Sequence, residues 1–242
     1  MTTIDPYAVT AGAYDLLNGS ARPGQLAALE LLLPRLRPKQ GPILDIGAGS
    51  GLNTAVVLER LPEARVQALE PSRAMRALAL ARIAAHPQWR DRVTVRPEDF
   101  FAAPLPEHLG GAIALGVIGH FDAGERAALL AELGDRLPPG GAALIDLQSP
   151  PRPAVVPPAV FADVRVGDLS YRGIAEGRPV GTELMRWRMT YLTLDGERVL
   201  VEDVVEFEFR HPSPTVVAQE AEQVGLVLER LGSTTFWLVL RR

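Results

Sequence analysis

The segment Ile43 to Gly51, ILDIGAGSG, places an acidic residue, Asp45, inside a short apolar run and then turns through three glycines, Gly47, Gly49 and Gly51. A helical pattern resumes at once with LNTAVVLERL. Glycines let a ligand approach the backbone closely, and a helix start offers unpaired N–H donors and the positive end of the dipole, so this is a place to hold a nucleotide. Glu70 ends the next apolar run, 19 residues after Gly51, where a carboxylate can accept both hydrogens of a ribose diol. The glycine spacing departs from the G-x-G-x-x-G of dinucleotide loops, and an acidic group beside the ligand repels phosphate while favouring an ammonium or a sulfonium.

Two further side chains can move or orient protons. His120, in GVIGHF, follows an apolar run and is a candidate general base; its alternative is a loop histidine bonded to backbone. Tyr14, in AGAYDLL, can orient a substrate through its hydroxyl or simply pack the first helix, and Tyr7 has a weaker claim. His86 and His211 each precede proline and His108 lies in a polar loop, so no histidine pair has metal-ligand spacing and no metal is expected. The chain has no cysteine, which excludes disulfides, thiolate metal sites and a cysteine nucleophile.

The elements that must position these residues alternate along the chain. Residues 25–37 have apolar side chains at helical spacing, and Pro38 to Pro42 break the pattern before the strand at Ile43. Arg65 to Leu69 and Val93 to Arg96 read as strands, with a helix between them that Ser72 can cap. Residues 112–118, AIALGVI, read as one buried strand, Asp122 and Glu125 form a capping box, and PPGG turns the chain into AALIDLQ. Repeated strand-then-helix units predict a mostly parallel sheet.

Pro150 to Pro158 holds five prolines in nine residues, too rigid and donor-poor for helix or strand, and marks a boundary. From about Val164 to Arg210 three period-two strands are expected. Met185, Trp187, Met189 and Tyr191 point one way and Arg186, Arg188 and Thr190 the other; Val205, Phe207 and Phe209 alternate with Glu206, Glu208 and Arg210, with Asp195-Gly196 as the hairpin turn. The charged face reads as a cross-strand ladder, with a clamp for an acidic substrate as the alternative. The apolar face needs cover, either as a roof on the substrate pocket or as a homodimer interface. A helix from Ser213 to Val224 and two short strands, VLERL and TFWLVL, close the chain.

Composition narrows the partners. Of 242 residues 47% are hydrophobic, enough for a substantial core, and 25 basic against 29 acidic residues leave a net charge of −4, a poor match for nucleic acid. Lys39 is the single lysine among those basic residues, which reads as a coding bias rather than an arginine-dependent function. No basic-then-apolar leader and no run of 18 apolar residues occurs, so a soluble cytoplasmic protein without a membrane partner is expected.

The sequence resembles the class I S-adenosylmethionine-dependent methyltransferases over residues 43–148, with the last thirty residues consistent. The resemblance implies a seven-stranded Rossmann-like sheet, helices on both faces and the last strand antiparallel, here with an inserted three-stranded antiparallel sheet. It divides the chain into a lid segment (1–24), a cofactor-binding domain (25–149 and 211–242) and an inserted β subdomain (150–210). It implies S-adenosyl-L-methionine as cofactor, held by Asp45, Gly47, Ala48, Gly49, Gly51 and Asn53. Further along, Glu70, Pro71 and Met75 follow the second strand, with Glu70 on the ribose. Asp99 would accept from the adenine amine beside Phe100, and Gly116 and Val117 would line the methionine moiety. The N-terminal segment with Tyr14 would fold over the cofactor as a lid, and His120 and Tyr14 are the candidate catalytic residues. Gly110-Gly111 stands where many relatives carry an aromatic and an aspartate, and no Asn-Pro-Pro-Tyr follows the fourth strand, which argues against adenine and glutamine amide methylation. An early YDLL and a histidine after the fourth strand are similar to amino-sugar N-methyltransferases of natural-product pathways. The expected activity is methyl transfer to nitrogen or oxygen of a small molecule. The alternatives are a cofactor-binding protein without transfer (a cyclisation catalyst or regulatory module), a peptide N-methyltransferase and, more distantly, a nicotinamide oxidoreductase.

Overall fold

The computed structural model describes residue 5 and residues 7–242. Two short helices, α1 (Tyr7–Thr10) and α2 (Tyr14–Leu17), precede α3 (Arg22–Leu32). Then follow β1 (Ile43–Ile46), α4 (Leu52–Arg60), β2 (Val66–Leu69), α5 (Arg73–Ala84), β3 (Val93–Arg96), β4 (Gly111–Ala114), α6 (Ala123–Arg136) and β5 (Ala142–Asp146). Four long strands, β6 (Val156–Val166), β7 (Leu169–Pro179), β8 (Leu184–Asp195) and β9 (Arg198–Arg210), come next. The chain ends with α7 (Pro214–Glu222), β10 (Leu226–Arg230) and β11 (Phe236–Arg241).

Seven strands form one sheet in the order β10-β11-β5-β4-β1-β2-β3, with β11 antiparallel to both its neighbours. The short central strands β1, β4 and β5 are buried at every position and almost entirely apolar, because both faces of the sheet are covered. Leu44 and Ile46 pack with Leu129 and Leu133 of α6 and Val217 of α7 on one face. Ile43 packs with Leu29 and Leu32 of α3 and Val57 of α4 on the other. Each such fully buried leucine or isoleucine contributes about 1.5–3 kcal/mol. Strand order reverses where β1 lies between β2 and β4, so the crevice opens at the carboxyl ends of β1 and β4.

The Gly110-Gly111 pair has a packing reason. A Cβ on Gly110 would stand 2.4 Å from the Gly41 carbonyl oxygen, so the loops before β1 and β4 cross backbone to backbone. β4 itself ends at Ala114 rather than at residue 118. Gly116 adopts φ +74°, which redirects the chain into a single 3-10 turn, Ile118–His120.

The inserted sheet has four antiparallel strands, β6-β7-β8-β9, not three. The additional strand is β6, and it includes Pro157 and Pro158. As an edge strand it pairs only with β7, so missing N–H groups on its outer side cost no ladder bond, and the register shifts where the prolines sit. The charge ladder forms on the face away from the rest of the chain: Arg186 pairs with Glu208 at 2.7 Å, and Arg188 lies 3.5 Å from Glu176 and 3.7 Å from Glu206. Among the described residues, no helix is long and apolar enough to cross a membrane.

Candidate active site

The glycine loop after β1 is built for close contact. Gly47 has φ +62°, and a Cβ there would stand 2.6 Å from Cγ2 of Val117, so the loop and the turn after β4 touch. Ala48 is buried and its N–H donates to the Leu69 carbonyl, tying the loop to β2. Met75 is buried with its methyl 3.4 Å from a Cβ placed on Gly49. Gly51 opens α4 in the left-handed region.

Glu70 stands at the carboxyl end of β2, almost fully buried. One carboxylate oxygen accepts from Gly49 N at 2.7 Å and the other from Ser72 N at 2.8 Å. A carboxylate has about four lone-pair positions, so each oxygen keeps one for a second donor, the requirement for a vicinal diol. Burial raises its pKa above the ordinary glutamate value, opposed by those two backbone bonds. Pro71 is exposed, and Ser72 caps α5 by accepting from Met75 N.

Several residues expected at the ligand have other partners. Asp45 is 1% exposed and accepts from the Thr54 hydroxyl at 2.5 Å, so it braces α4 from beneath the loop. Burial lifts its carboxyl to a pKa of about 7, with Thr54 pulling the other way. Asn53 accepts from Arg22 at 2.5 Å. Asp99 is exposed, and its Oδ1 accepts from the N–H groups of Phe101 and Ala102 at 2.9 Å, leaving Oδ2 free. Phe100 is buried in the core, and exposed Phe101 stands edge-on to both Phe100 and Phe121.

The N-terminal segment crosses the loop. Asp15 accepts from the Ser50 hydroxyl and from Arg82, each at 2.5 Å, and Arg22 also donates to the Leu52 carbonyl. Residues 1–4 and 6 of the expected lid lie outside the described residues. The crossing delivers Tyr7 and Tyr14 to a cavity of about 260 Å³. Its lower wall is Gly116, His120 and Gln148, and its upper wall is the apolar face of the inserted sheet, including Trp187, Met189 and Phe207. The sheet is therefore a roof over this cavity.

His120 lies at the solvent-accessible rim with Nε2 2.9 Å from the Tyr7 hydroxyl. Burial of its ring, then the nearby Arg210 guanidinium, hold its pKa below 6.5, so it is a neutral base at neutral pH. Burial drives the Tyr7 phenol above its ordinary value. Tyr14 is raised to about 12, by burial first and then by the carboxylates of Glu70 and Asp146. Both tyrosines are neutral hydroxyls that donate or accept without ionising.

Three features were not legible in the sequence. The Tyr7–His120 contact joins residues 113 apart. Asp146, at the end of β5, accepts from Gly116 N at 2.7 Å and fixes the turn after β4; burial lifts its pKa to about 6. An acidic residue closing a buried apolar run, the signal that marked Glu70, could have found it. His211 is 4% exposed and accepts the Trp187 indole N–H at Nε2 (3.1 Å), so its Nδ1 carries the proton and donates to the Pro150 carbonyl at 2.8 Å. It anchors the roof to the end of β5.

Residues 43–141 match the family model described as a methyltransferase domain. Among solved structures the chain is similar to the sugar N-methyltransferase KedS8 from a Streptoalloteichus species, at 21% identity and TM-score 0.67 over 89% of this chain and 85% of that one. It is similar to CalS10 from Micromonospora echinaspora, an amino pentose methyltransferase involved in calicheamicin biosynthesis, at 18% identity and TM-score 0.71 over 90% and 89%. It is also similar to DesVI from Streptomyces venezuelae, at 17% identity and TM-score 0.73 over 99% and 100%. At these identities the likeness to solved structures concerns the fold. No curated protein sequence matches the chain.

Proposed function

We propose that this chain, whose residues 43–141 match a methyltransferase domain and whose fold is that of solved methyltransferases, uses S-adenosylmethionine to methylate an amino nitrogen of a small sugar or sugar-bearing natural product. The observation that carries the reading is the cavity that begins at Gly116 and contains the Tyr7–His120 pair beneath the inserted sheet. KedS8 and CalS10, the sugar-modifying proteins of similar fold, point to the same acceptor class.

The residues fit the cofactor. Glu70 keeps a free lone pair on each oxygen for the ribose hydroxyls, the glycine loop packs Gly47 against Val117 and ties Gly49 to that carboxylate, and Gly116 and Asp99 would border the remaining positions. S-adenosylmethionine supplies a methyl group already activated by the sulfonium. The protein's share is alignment, exclusion of water and proton management.

Asp146 holds the Gly116 turn, so the cavity floor has one geometry. Tyr14 lines the cavity as a protonated phenol that feels the carboxylates of Glu70 and Asp146, and its hydroxyl is available to a bound ligand. An amine reacts as the neutral base, and the proton it must shed can pass to neutral His120 through the Tyr7 hydroxyl bonded at Nε2. A sugar hydroxyl needs a stronger base, and the cavity tyrosines are held protonated, which favours nitrogen over oxygen.

Calorimetric titration with S-adenosylhomocysteine, followed by a screen of amino sugars for methyl incorporation, tests the proposal. Binding in the micromolar range that Glu70→Ala weakens by about 100-fold or more, with turnover of an amine, is expected; a carboxylate that accepts two ligand hydroxyls is worth about 3 kcal/mol. Absence of binding overturns the methyltransferase reading. Binding without turnover of any amine leaves a cofactor-binding protein and overturns the transferase assignment.

A further inference from the structure

The cavity's upper wall has a definite chemistry. On β7 the residues facing it are Gly173, Ala175 and Gly177, at period two, so the wall there is backbone and one methyl group. Large rings occupy the space that larger side chains would take. A Cβ on Gly173 would stand 2.3 Å from the Phe161 ring, and one on Gly177 would stand 3.0 Å from the Trp187 ring. Tyr191 faces Phe161 edge-on at 6.4 Å, and Phe207, directly opposite Trp187 in the register, adds the next ring along β9. Between these rings the middle row of the sheet runs Ala175, Met189 and Val205, with Ala175 its low point. The result is a slot for a flat or chair-shaped ring, with polar groups gathered at its inner end in Tyr14, Gln148 and the Tyr7–His120 pair.

Charge is arranged on the other side of the same strands. Arg186 and Arg188 face outward into Glu208, Glu206 and Glu176, and Arg172 is bonded to Asp163 at 2.8 Å. Arg210 borders His120 and donates to its carbonyl at 3.2 Å. Among the described residues that line the cavity there is no arginine or lysine. A diphosphate is recognised by cationic forks or by a cradle of backbone N–H groups, whereas this wall offers ring faces and a methyl.

We propose that the acceptor presents its amine on an uncharged, ring-bearing body, as an amino sugar glycosidically joined to an apolar or aromatic aglycone does, and that this body stacks in the slot over Ala175. The inference rests on the methyltransferase reading and narrows its substrate class: methylation follows attachment of the amino sugar to its aglycone and does not act on a nucleoside diphosphate sugar. The reaction that supplies the substrate is accordingly a glycosyl transfer.

The test uses the intact protein saturated with S-adenosylhomocysteine, after its binding has been verified alone. The para-nitrophenyl glycosides of several aminodeoxyhexoses and the uridine diphosphate esters of the same sugars are titrated in, and their kcat/KM values are compared with S-adenosylmethionine present. The best glycoside is expected to bind and react at least about tenfold better than its nucleotide ester, the scale of a few ring contacts. Ala175→Leu, which fills the low point, raises KM for that glycoside about tenfold with S-adenosylhomocysteine binding unchanged, and Phe207→Ala does the same should Ala175→Leu fail to fold. Preference for the nucleotide esters, or no binding of any glycoside to the S-adenosylhomocysteine complex, overturns the inference and leaves the methyltransferase reading standing. Failure of S-adenosylhomocysteine itself to bind removes both.

Discussion

His120 and Tyr7 meet through one 2.9 Å contact, and its consequences are measurable in a pH profile. With the pKa of His120 held below 6.5, kcat/KM for an amine acceptor is flat near pH 7 on the side of this group and falls as pH drops through the lowered pKa. His120→Ala removes that acid limb and lowers kcat about 100-fold. Tyr7→Phe keeps the packing but removes the hydroxyl bonded at Nε2, so the limb shifts. An unchanged limb in both variants would assign it to the substrate amine. Individual residue types were readable where chemistry demands them: a carboxylate after the second strand, glycines before a helix, a histidine after the fourth strand. Their partners were not. Asp45 looks like a ligand group in one dimension and is turned toward Thr54 in three, because the helix it braces starts only seven residues later.

Between elements, two buried side chains carry much of the attachment of the roof. Arg126 of α6 is 1% exposed and bonds Glu220 of α7 at 3.0 Å and Glu183, just before β8, at 3.2 Å. Arg126→Met leaves two carboxylates facing an apolar group; because Glu183 is 32% and Glu220 14% exposed and can rehydrate, the loss is expected to be about 2–3 kcal/mol, below that of a fully buried pair. Urea unfolding is expected to show a lower midpoint at unchanged slope; a midpoint that does not move would mean that the three groups are solvated. His211 adds a pH dependence. Its pKa is lowered by burial, so the folded state binds the proton less readily than the unfolded chain, for which 6.5 applies. Its contribution to stability is complete above pH 6.5 and declines as pH falls below it. His211→Asn flattens this part of the stability profile while lowering stability at pH 7.5. The helices and central strands were legible because their periods are unambiguous and their caps are local, as with Asp122 and Glu125. β6 was not, since a proline-rich run forms a strand only where an edge makes its missing donors harmless.

For the molecule as a whole, a mostly parallel α/β sheet could be read directly from the alternating apolar runs, whereas its seven strands and antiparallel last strand were implied by the family resemblance. The cavity could not, because it is assembled from the N-terminal segment, the turns after β4 and β5, and the roof, which are remote in the chain. The same assembly predicts a strong response to ligand. S-adenosylhomocysteine at 100 times its Kd adds about 2.7 kcal/mol. At about 2–4 °C per kcal/mol for a chain of this size, Tm is expected to rise roughly 5–10 °C. Glu70→Ala abolishes most of that rise in a thermal melt, and an equal rise in this variant would mean that the ligand sits elsewhere.

The chain leaves the large sheet after β5 and comes back at His211, whose ring is bonded to the Pro150 carbonyl at the point of departure. Entrance and exit of the roof are thus side by side, so the path of the remaining chain does not depend on the roof's length, while the roof's own contacts, Glu183 with Arg126 and Trp187 with His211, hold it in place. On the proposed function, a foreign roof grafted between residues 150 and 211 is expected to shift the range of acceptors while the walls supplied by Tyr7, Tyr14 and His120 stay in place.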